Sequence, residues 1–159
     1  MAAVDKSQYE IFLVESNHND PKKRRTVDIS QGVVAFTYFE NIMSPTLTAR
    51  AIVVNTGGGV SDDEGNMVGV YNGLPFRGGE RVIIKIASNS NNNQDLDFSQ
   101  DTTKYFFVSS VSDVMVEAQK EIFTLNLISR EAITNETVRV GKKFPVSQKI
   151  SDLSLIHIS

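Results

Sequence analysis

Residues 71–87 read Tyr71-Asn-Gly-Leu-Pro-Phe-Arg-Gly-Gly-Glu-Arg-Val-Ile-Ile-Lys-Ile-Ala87, and this stretch decides the fold. Its first half is rich in glycine and proline, which reverse or fix the direction of the chain. Its second half, Arg81–Ala87, alternates apolar side chains and is rich in β-branched residues, which predicts a strand. We therefore predict a structural corner that leads into a central strand. Four residues are expected to set the geometry of this corner: Gly73, Pro75, Gly78 and Gly79.

The apolar pattern of the rest of the chain is also typical of strands rather than helices. Six further segments have this pattern: Tyr9–Val14, Thr26–Ser30, Val33–Ile42, Leu47–Asn55, Lys104–Val111 and Glu121–Ser129. We expect the strand at Lys104–Val111 to continue past a bend at Ser112-Asp113. After Glu121–Ser129 the residues Arg130–Glu136 are better helix formers and predict a short helix. No βαβ spacing is present. The pattern predicts a mainly β protein, an antiparallel barrel or sandwich of about seven strands with one short helix.

Four stretches between or within these strands carry additional information. Val33–Ile42 is apolar or aromatic at most positions, so we expect both of its faces to be covered, within the domain or by a partner. Residues 56–66 and 88–101 are polar, and we expect them to be loops. Residues 22–25 are four consecutive cations, Lys-Lys-Arg-Arg. They are either a solvated loop or a contact for an acidic partner.

The residue types that carry chemistry are scarce. The chain has 159 residues, no cysteine and two histidines, so it has no thiolate nucleophile and no cysteine-based metal site. The glycines at 57–59 are not followed by the Gly-Lys-Ser/Thr of a phosphate-binding loop. Asp62-Asp63-Glu64 lacks the spacing of a calcium loop. We predict no catalytic, cofactor-binding or metal-binding residues.

Charge and hydropathy limit the partners. The net charge of −3 argues against a nucleic-acid-binding protein, which would usually have a basic excess. No apolar run approaches the roughly 18 residues of a membrane span. We therefore expect no specific nucleic acid and no membrane as partner.

Three stretches, taken together in this order and spacing, resemble a known family. They are Ser44-Pro-Thr-Leu-Thr-Ala49, Asn72-Gly-Leu-Pro-Phe-Arg-Gly-Gly-Glu-Arg81 and Ser129-Arg-Glu-Ala-Ile-Thr-Asn-Glu136. The chain resembles, from about Tyr9 to Leu153, the N-terminal part of the baseplate hub (tail hub) protein of contractile-tailed, myovirus-like bacteriophages.

This resemblance implies both a fold and a role. In that family the N-terminal domain is a β-barrel related to the tail-tube protein, and the hub is a homotrimer that adapts the tail tube to the central spike. The implied partners are the tail tube protein, the central spike and the baseplate wedge proteins. The implied location is the tail baseplate of the virion, after synthesis in the host cytoplasm.

The resemblance also sets the expected domain organisation. Residues 1–150 are expected to form the tail-tube-like β-barrel domain, and residues 151–159 the truncated start of a next segment. The final Ser-Leu-Ile-His-Ile-Ser159 resembles a translated adapter sequence. Residues from about 154 are therefore expected to be a sequencing artefact.

A ring-forming subunit must bury strand surface at its contacts with neighbouring subunits. Seven residues are candidates for these contacts: Phe36, Tyr38, Arg77, Glu80, Arg81, Tyr105 and Phe107. The charged three are expected to make ion pairs, either within the subunit or between subunits. Two other functions stay open. A stand-alone β-barrel module that binds carbohydrate or peptide predicts an exposed aromatic platform or groove. An enzyme would use acidic loop residues such as Asp62, Asp63 and Glu64, with or without a metal.

Overall fold

The computed structural model describes residues 8–56, 59–61, 65–74, 76–90, 92–117 and 120–137. It has ten strands in these ranges: β1 Gln8–Glu15, β2 Thr26–Asp28, β3 Val33–Phe39, β4 Thr48–Asn55, β5 Gly59–Ser61, β6 Met67–Gly69, β7 Arg81–Ala87, β8 Leu96–Asp97, β9 Phe106–Glu117 and β10 Lys120–Ser129. Two α-helices are α1 Val70–Gly73 and α2 Arg130–Thr137, and short 3-10 turns lie at Pro21–Lys23, Ser30–Gly32 and Thr102–Lys104.

The strands form one large antiparallel sheet and one small hairpin. The order in the large sheet is β2-β1-β7-β9-β10-β4-β3, with β8 added beside β7, and β5 pairs with β6 separately. The expected mainly β, antiparallel class is confirmed. The described strands do not close into a barrel, because β2 and β3 remain at opposite ends of the hydrogen-bonded path.

The large sheet has a narrow link in its middle. β7 and β9 pair at only two positions, Arg81 with Phe107 and Val82 with Phe106. Beyond them the end of β7 pairs with β8 instead, at Lys85 and Ile86. The sheet therefore consists of two parts, β2-β1-β7-β8 and β9-β10-β4-β3, joined by a two-residue ladder.

The core lies between these two parts. Phe12 of β1 contacts Phe36 of β3 edge to face across this boundary, with ring centroids 6.0 Å apart. Within the second part, Tyr38 of β3 contacts Phe106 of β9, with ring centroids 6.4 Å apart. Full burial of an apolar side chain contributes about 1.5–3 kcal/mol. The largest fully buried apolar side chains are Phe12, Leu74, Ile84, Phe106, Phe123, Leu125 and Leu127.

Several strand bounds match the sequence patterns. β7 has the predicted bounds, Arg81–Ala87, and β10 begins one residue before the predicted Glu121. β9 continues past the predicted bend, where Asp113 has a φ of 52°. The short helix predicted over Arg130–Glu136 is α2.

Two predicted strands end earlier than their apolar patterns. β2 ends at Asp28 because Ser30 starts a 3-10 turn, in which the Asp28 carboxylate accepts a hydrogen bond from the Ser30 backbone N–H (2.9 Å). β3 ends at Phe39, and Ile42 lies in the turn that follows, where it is 98% exposed. Val34 and Phe39 are also exposed, so the domain itself does not cover both faces of Val33–Ile42, and cover by a partner stays a prediction.

Regular structure also appears where loops were predicted. The hairpin β5–β6 extends into residues 56–66, β8 lies within residues 88–101, and α1 replaces the turn expected at Asn72-Gly73. These elements are two to four residues long, too short for a recognisable period. Pro75, the acidic residues 62–64 and the segment 138–159, including the expected next segment from residue 151, lie outside the described residues.

Candidate functional site

The corner before β7 is built on two consecutive left-handed glycines. Gly78 and Gly79 have φ angles of 90° and 83°. The side chain of Glu80, which is 1% exposed, accepts hydrogen bonds from the backbone N–H groups of Arg77 (2.7 Å) and Gly78 (3.1 Å). Asn17, from the other side, donates its Nδ2 to the carbonyl of Gly78 (3.0 Å). The corner is therefore held by side chains at both of its faces.

The residues that precede these glycines pack into the core. The rings of Tyr71, Phe76 and Phe123 contact one another, with centroids 5.8–6.1 Å apart. Gly73 lies so close to the β5–β6 hairpin that a Cβ atom there would be 2.9 Å from Cβ of Val60. Of the four predicted corner residues, Gly73 thus occupies a tight position, and Gly78 and Gly79 occupy left-handed ones. Pro75 lies outside the described ranges.

The charged residues predicted for an interface have different environments. Arg81 makes an ion pair within the chain, with its Nη2 2.6 Å from Oε1 of Glu15. Arg77 is exposed. Glu80 corrects the expectation, because it is buried and its oxygens bind the backbone of the corner rather than a cation.

The aromatic residues predicted for an interface contact the core. Phe36 and Tyr38 are half-buried and face inward, against Phe12 and Phe106. Burial raises the pKa of Tyr38, and the hydrogen bond from its hydroxyl to Glu40 raises it further. Tyr105 and Phe107 are also half-buried, and Phe107 lines a cleft described below.

Other apolar residues, which the sequence did not single out, are exposed. They lie in two groups. The first is β3 with the turn after it, and its members are Val34, Phe39, Ile42 and Met43. The second is the part of β9 beyond the Asp113 bend, and its members are Val114, Met115 and Val116. We call these groups the open edge and the arm.

The open edge differs from the other end of the sheet. β3 pairs with β4 on one side, and none of the described strands pairs with its other side. Its sequence, Val-Val-Ala-Phe-Thr-Tyr-Phe, has no charged residue and no proline. At the opposite end β2 has three residues, follows Arg24 and Arg25, and ends in Asp28. Short length and charge are the usual protections of a sheet edge, and only β2 has them.

Two adjoining clefts lie between the end of β1, the 3-10 turn after it and the corner. One has a volume of about 430 Å³ and the other about 500 Å³, and both are lined by Ser16, Asn17 and Arg24. Among the described residues, seven cationic side chains line them: Lys22, Lys23, Arg24, Arg25, Arg77, Arg81 and Arg130. In the same described lining the one carboxylate is that of Glu15. We call this region the basic cleft.

Part of this positive charge is compensated within the chain. Glu15 is 2.6 Å from Arg81 and 3.7 Å from Arg24, and Arg25 donates to the carbonyl of Ser61 (2.7 Å). Three further cations have no hydrogen bond or ion pair from their side chains to any described residue: Lys22, Lys23 and Arg77.

The described residues contain no group of three or more histidines, cysteines or carboxylates placed to hold a metal ion. In the same ranges no helix has the length and apolarity that crossing a membrane requires.

No protein-family model matches the chain, and neither does any curated protein or solved structure with which it was compared. The open edge, the arm and the basic cleft are therefore the candidate functional surfaces.

Proposed function

We propose that this chain is a structural subunit of a phage tail baseplate, the central hub that adapts the tail tube to the spike. In this role it works by assembly with copies of itself and with other virion proteins, not by turnover. The sequence resemblance described above gives the biological setting. The single observation that supports an assembly role is the open edge.

An unpaired strand edge is a template for another strand, because its backbone N–H and C=O groups still need partners. β3 has seven residues, no charge and no proline, and it is followed by the exposed Ile42 and Met43. Monomeric proteins usually protect such an edge with lysine, proline or a very short strand. An edge without these protections is expected where a neighbouring subunit covers it.

We further propose that β3 contacts a part of the neighbouring subunit other than that subunit's own β3. Such a heterologous contact generates a ring when the rotation between subunits closes. The arm is a second exposed apolar segment, and Val114, Met115 and Val116 follow one another along it. Consecutive residues of a strand point to opposite faces. The arm therefore presents apolar side chains on both faces, as an element inserted between neighbours would.

The alternative of a carbohydrate- or peptide-binding module has less support. It predicts an aromatic platform at the surface. Phe39 is the single exposed aromatic residue in the described part of the chain, and the tyrosines there are half-buried.

The test is the mass of the particle in solution. Native mass spectrometry and sedimentation velocity on the full chain should show trimers or larger rings, alone or after mixing with the cognate tube and spike proteins. The double variant Val34→Lys/Phe39→Lys places two charges on the open edge and should be monomeric, with an unchanged circular dichroism spectrum.

A matched control adds the same charge elsewhere. Gln94 and Thr103 are exposed and lie outside the open edge and the arm. The variant Gln94→Lys/Thr103→Lys should therefore assemble as the wild type does. If the wild type stays monomeric in all mixtures, or if the edge variant assembles normally, the proposed function is refuted.

A further inference from the structure

We propose that the basic cleft is a docking site for an acidic peptide segment of a partner protein. The proposal uses none of the residues of the open edge or the arm, so it stands apart from self-assembly. It commits to a segment rich in aspartate and glutamate as the occupant.

Charge is the first argument for this occupant. The chain has 16 lysines and arginines against 19 aspartates and glutamates. Seven of the 16 cations line the basic cleft, and Glu15 is the one carboxylate among its described lining residues. Nearly half of the cations of an acidic protein are thus collected in one concave region. Such a distribution attracts anions to that region and repels them elsewhere.

The cations come from separate parts of the chain, so the positive charge of the cleft does not result from one basic loop alone. Lys22 and Lys23 belong to the 3-10 turn, Arg77 to the corner, Arg81 to β7 and Arg130 to the start of α2. Folding brings them together against the cost of like-charge repulsion. Lys22, Lys23 and Arg77 remain without side-chain partners among the described residues, so they are available to carboxylates of another chain.

The basic turn is also held in place before any partner arrives. The Asp20 carboxylate accepts from the backbone N–H of Lys22 (3.0 Å), and His18 Nδ1 accepts from the N–H of Asp20 (3.0 Å). Arg24 donates its Nε to the carbonyl of His18 (3.1 Å). A preorganised site loses less conformational entropy on binding than a mobile loop does.

A nucleic acid is the competing occupant, and two observations disfavour it. Single strands are usually held by base stacking on aromatic rings, and Phe107 is the one aromatic residue in the described part of the lining, where it is half-buried. A duplex presents a continuous line of phosphates that extends past a cleft of this size. Four arginines besides Arg25 line the cleft, and arginine forks bind carboxylates and phosphates alike in two-point contacts, so these side chains favour an anion without choosing between the two.

The experiment measures binding of three fluorescein-labelled probes by anisotropy: deca-glutamate, deca-glutamine and a DNA oligonucleotide of equal formal charge. The full chain should bind deca-glutamate at micromolar concentration in low salt, and more weakly as salt is added. It should not bind deca-glutamine. The triple variant Lys22→Gln/Lys23→Gln/Arg77→Gln should bind deca-glutamate at least about tenfold more weakly.

The matched control removes three cations from other surfaces, in the variant Arg50→Gln/Lys85→Gln/Lys120→Gln. It has the same net charge as the cleft variant and should bind deca-glutamate to within about twofold of the wild type. All probes are also measured on the edge variant Val34→Lys/Phe39→Lys, which has an intact basic cleft. This measurement separates binding in the cleft from self-assembly at the open edge. Equal losses in the cleft and control variants overturn the proposal, because they indicate attraction by net charge. Tighter binding of DNA than of deca-glutamate, lost in the cleft variant, overturns it in favour of a nucleic-acid site.

Discussion

Alanine substitutions at three glycines test whether the corner before β7 is a rigid structural device. Gly65, Gly78 and Gly79 have similar positive φ angles, of 87°, 90° and 83°. Their surroundings differ. A Cβ atom at Gly65 would meet nothing within 4 Å, and one at Gly78 would lie 4.0 Å from the Val108 carbonyl oxygen. One at Gly79 would lie 2.8 Å from Nδ2 of Asn17.

The expected losses follow from these contacts. A left-handed conformation costs a residue with a Cβ atom about 1–2 kcal/mol, and this is the whole loss expected for Gly65→Ala and Gly78→Ala. Gly79→Ala also displaces the Asn17 side chain and so breaks its hydrogen bond to Gly78, worth about 0.5–1.5 kcal/mol. The loss of unfolding free energy for Gly79→Ala should therefore be about 1.5–3.5 kcal/mol.

Urea unfolding followed by circular dichroism measures these losses. A double-mutant cycle with Asn17→Ala isolates the contact, since Gly79→Ala should cost only about 1–2 kcal/mol once the Asn17 side chain is removed. If Gly79→Ala costs no more than Gly65→Ala in the wild-type background, the corner is not held by Asn17. The hydrogen bond from Asn17 to Gly78 would then contribute nothing measurable to the stability of the corner.

Two further predictions concern β10 and the arm. Gly69→Ala should destabilise the protein by more than Gly65→Ala does, because a Cβ atom at residue 69 would overlap the buried carboxylate of Glu121 in β10. Equal urea midpoints for the two variants would contradict this prediction. The pKa of Asp113 is lowered, first by a hydrogen bond from Thr124 and further by Arg50, so the ionised form stabilises the fold above the unfolded pKa of about 3.9. This stabilisation is lost as the pH falls through the lower folded value, so the urea midpoints of wild type and Asp113→Asn should differ near neutral pH and converge in acid. If the midpoints of the two proteins differ equally at neutral and acid pH, the ionisation of Asp113 does not contribute to stability.

The strands of this protein were predictable where the pattern is long and regular. The alternation in Arg81–Ala87 gave the bounds of β7, and the polar pair Ser112-Asp113 marked the bend in β9. α1 was missed because a four-residue helix has no stability of its own. It forms because Tyr71 packs against Phe123, a contact between residues far apart in sequence.

The candidate surfaces were less predictable than the strands. The sequence showed the cations of residues 22–25 but not that Arg77, Arg81 and Arg130 join them, because local patterns do not record tertiary neighbours. It also predicted Phe36 and Tyr38 for an interface, since it could not tell which face of β3 points inward. The bulge between Val33 and Ala35 sets that choice, because one extra residue reverses the side-chain alternation.

The order of strands in the sheet has a consequence for synthesis on the ribosome. β1 pairs with β7, and β4 pairs with β10, so each waits for a partner made some 70 residues later. Until β10 emerges, β3 and β4 form at most an isolated hairpin, which is marginally stable in water. Non-local pairing of this kind slows folding and prolongs the time for which apolar strands are uncovered. The nascent chain should therefore need chaperones most between the synthesis of β4 and that of β10.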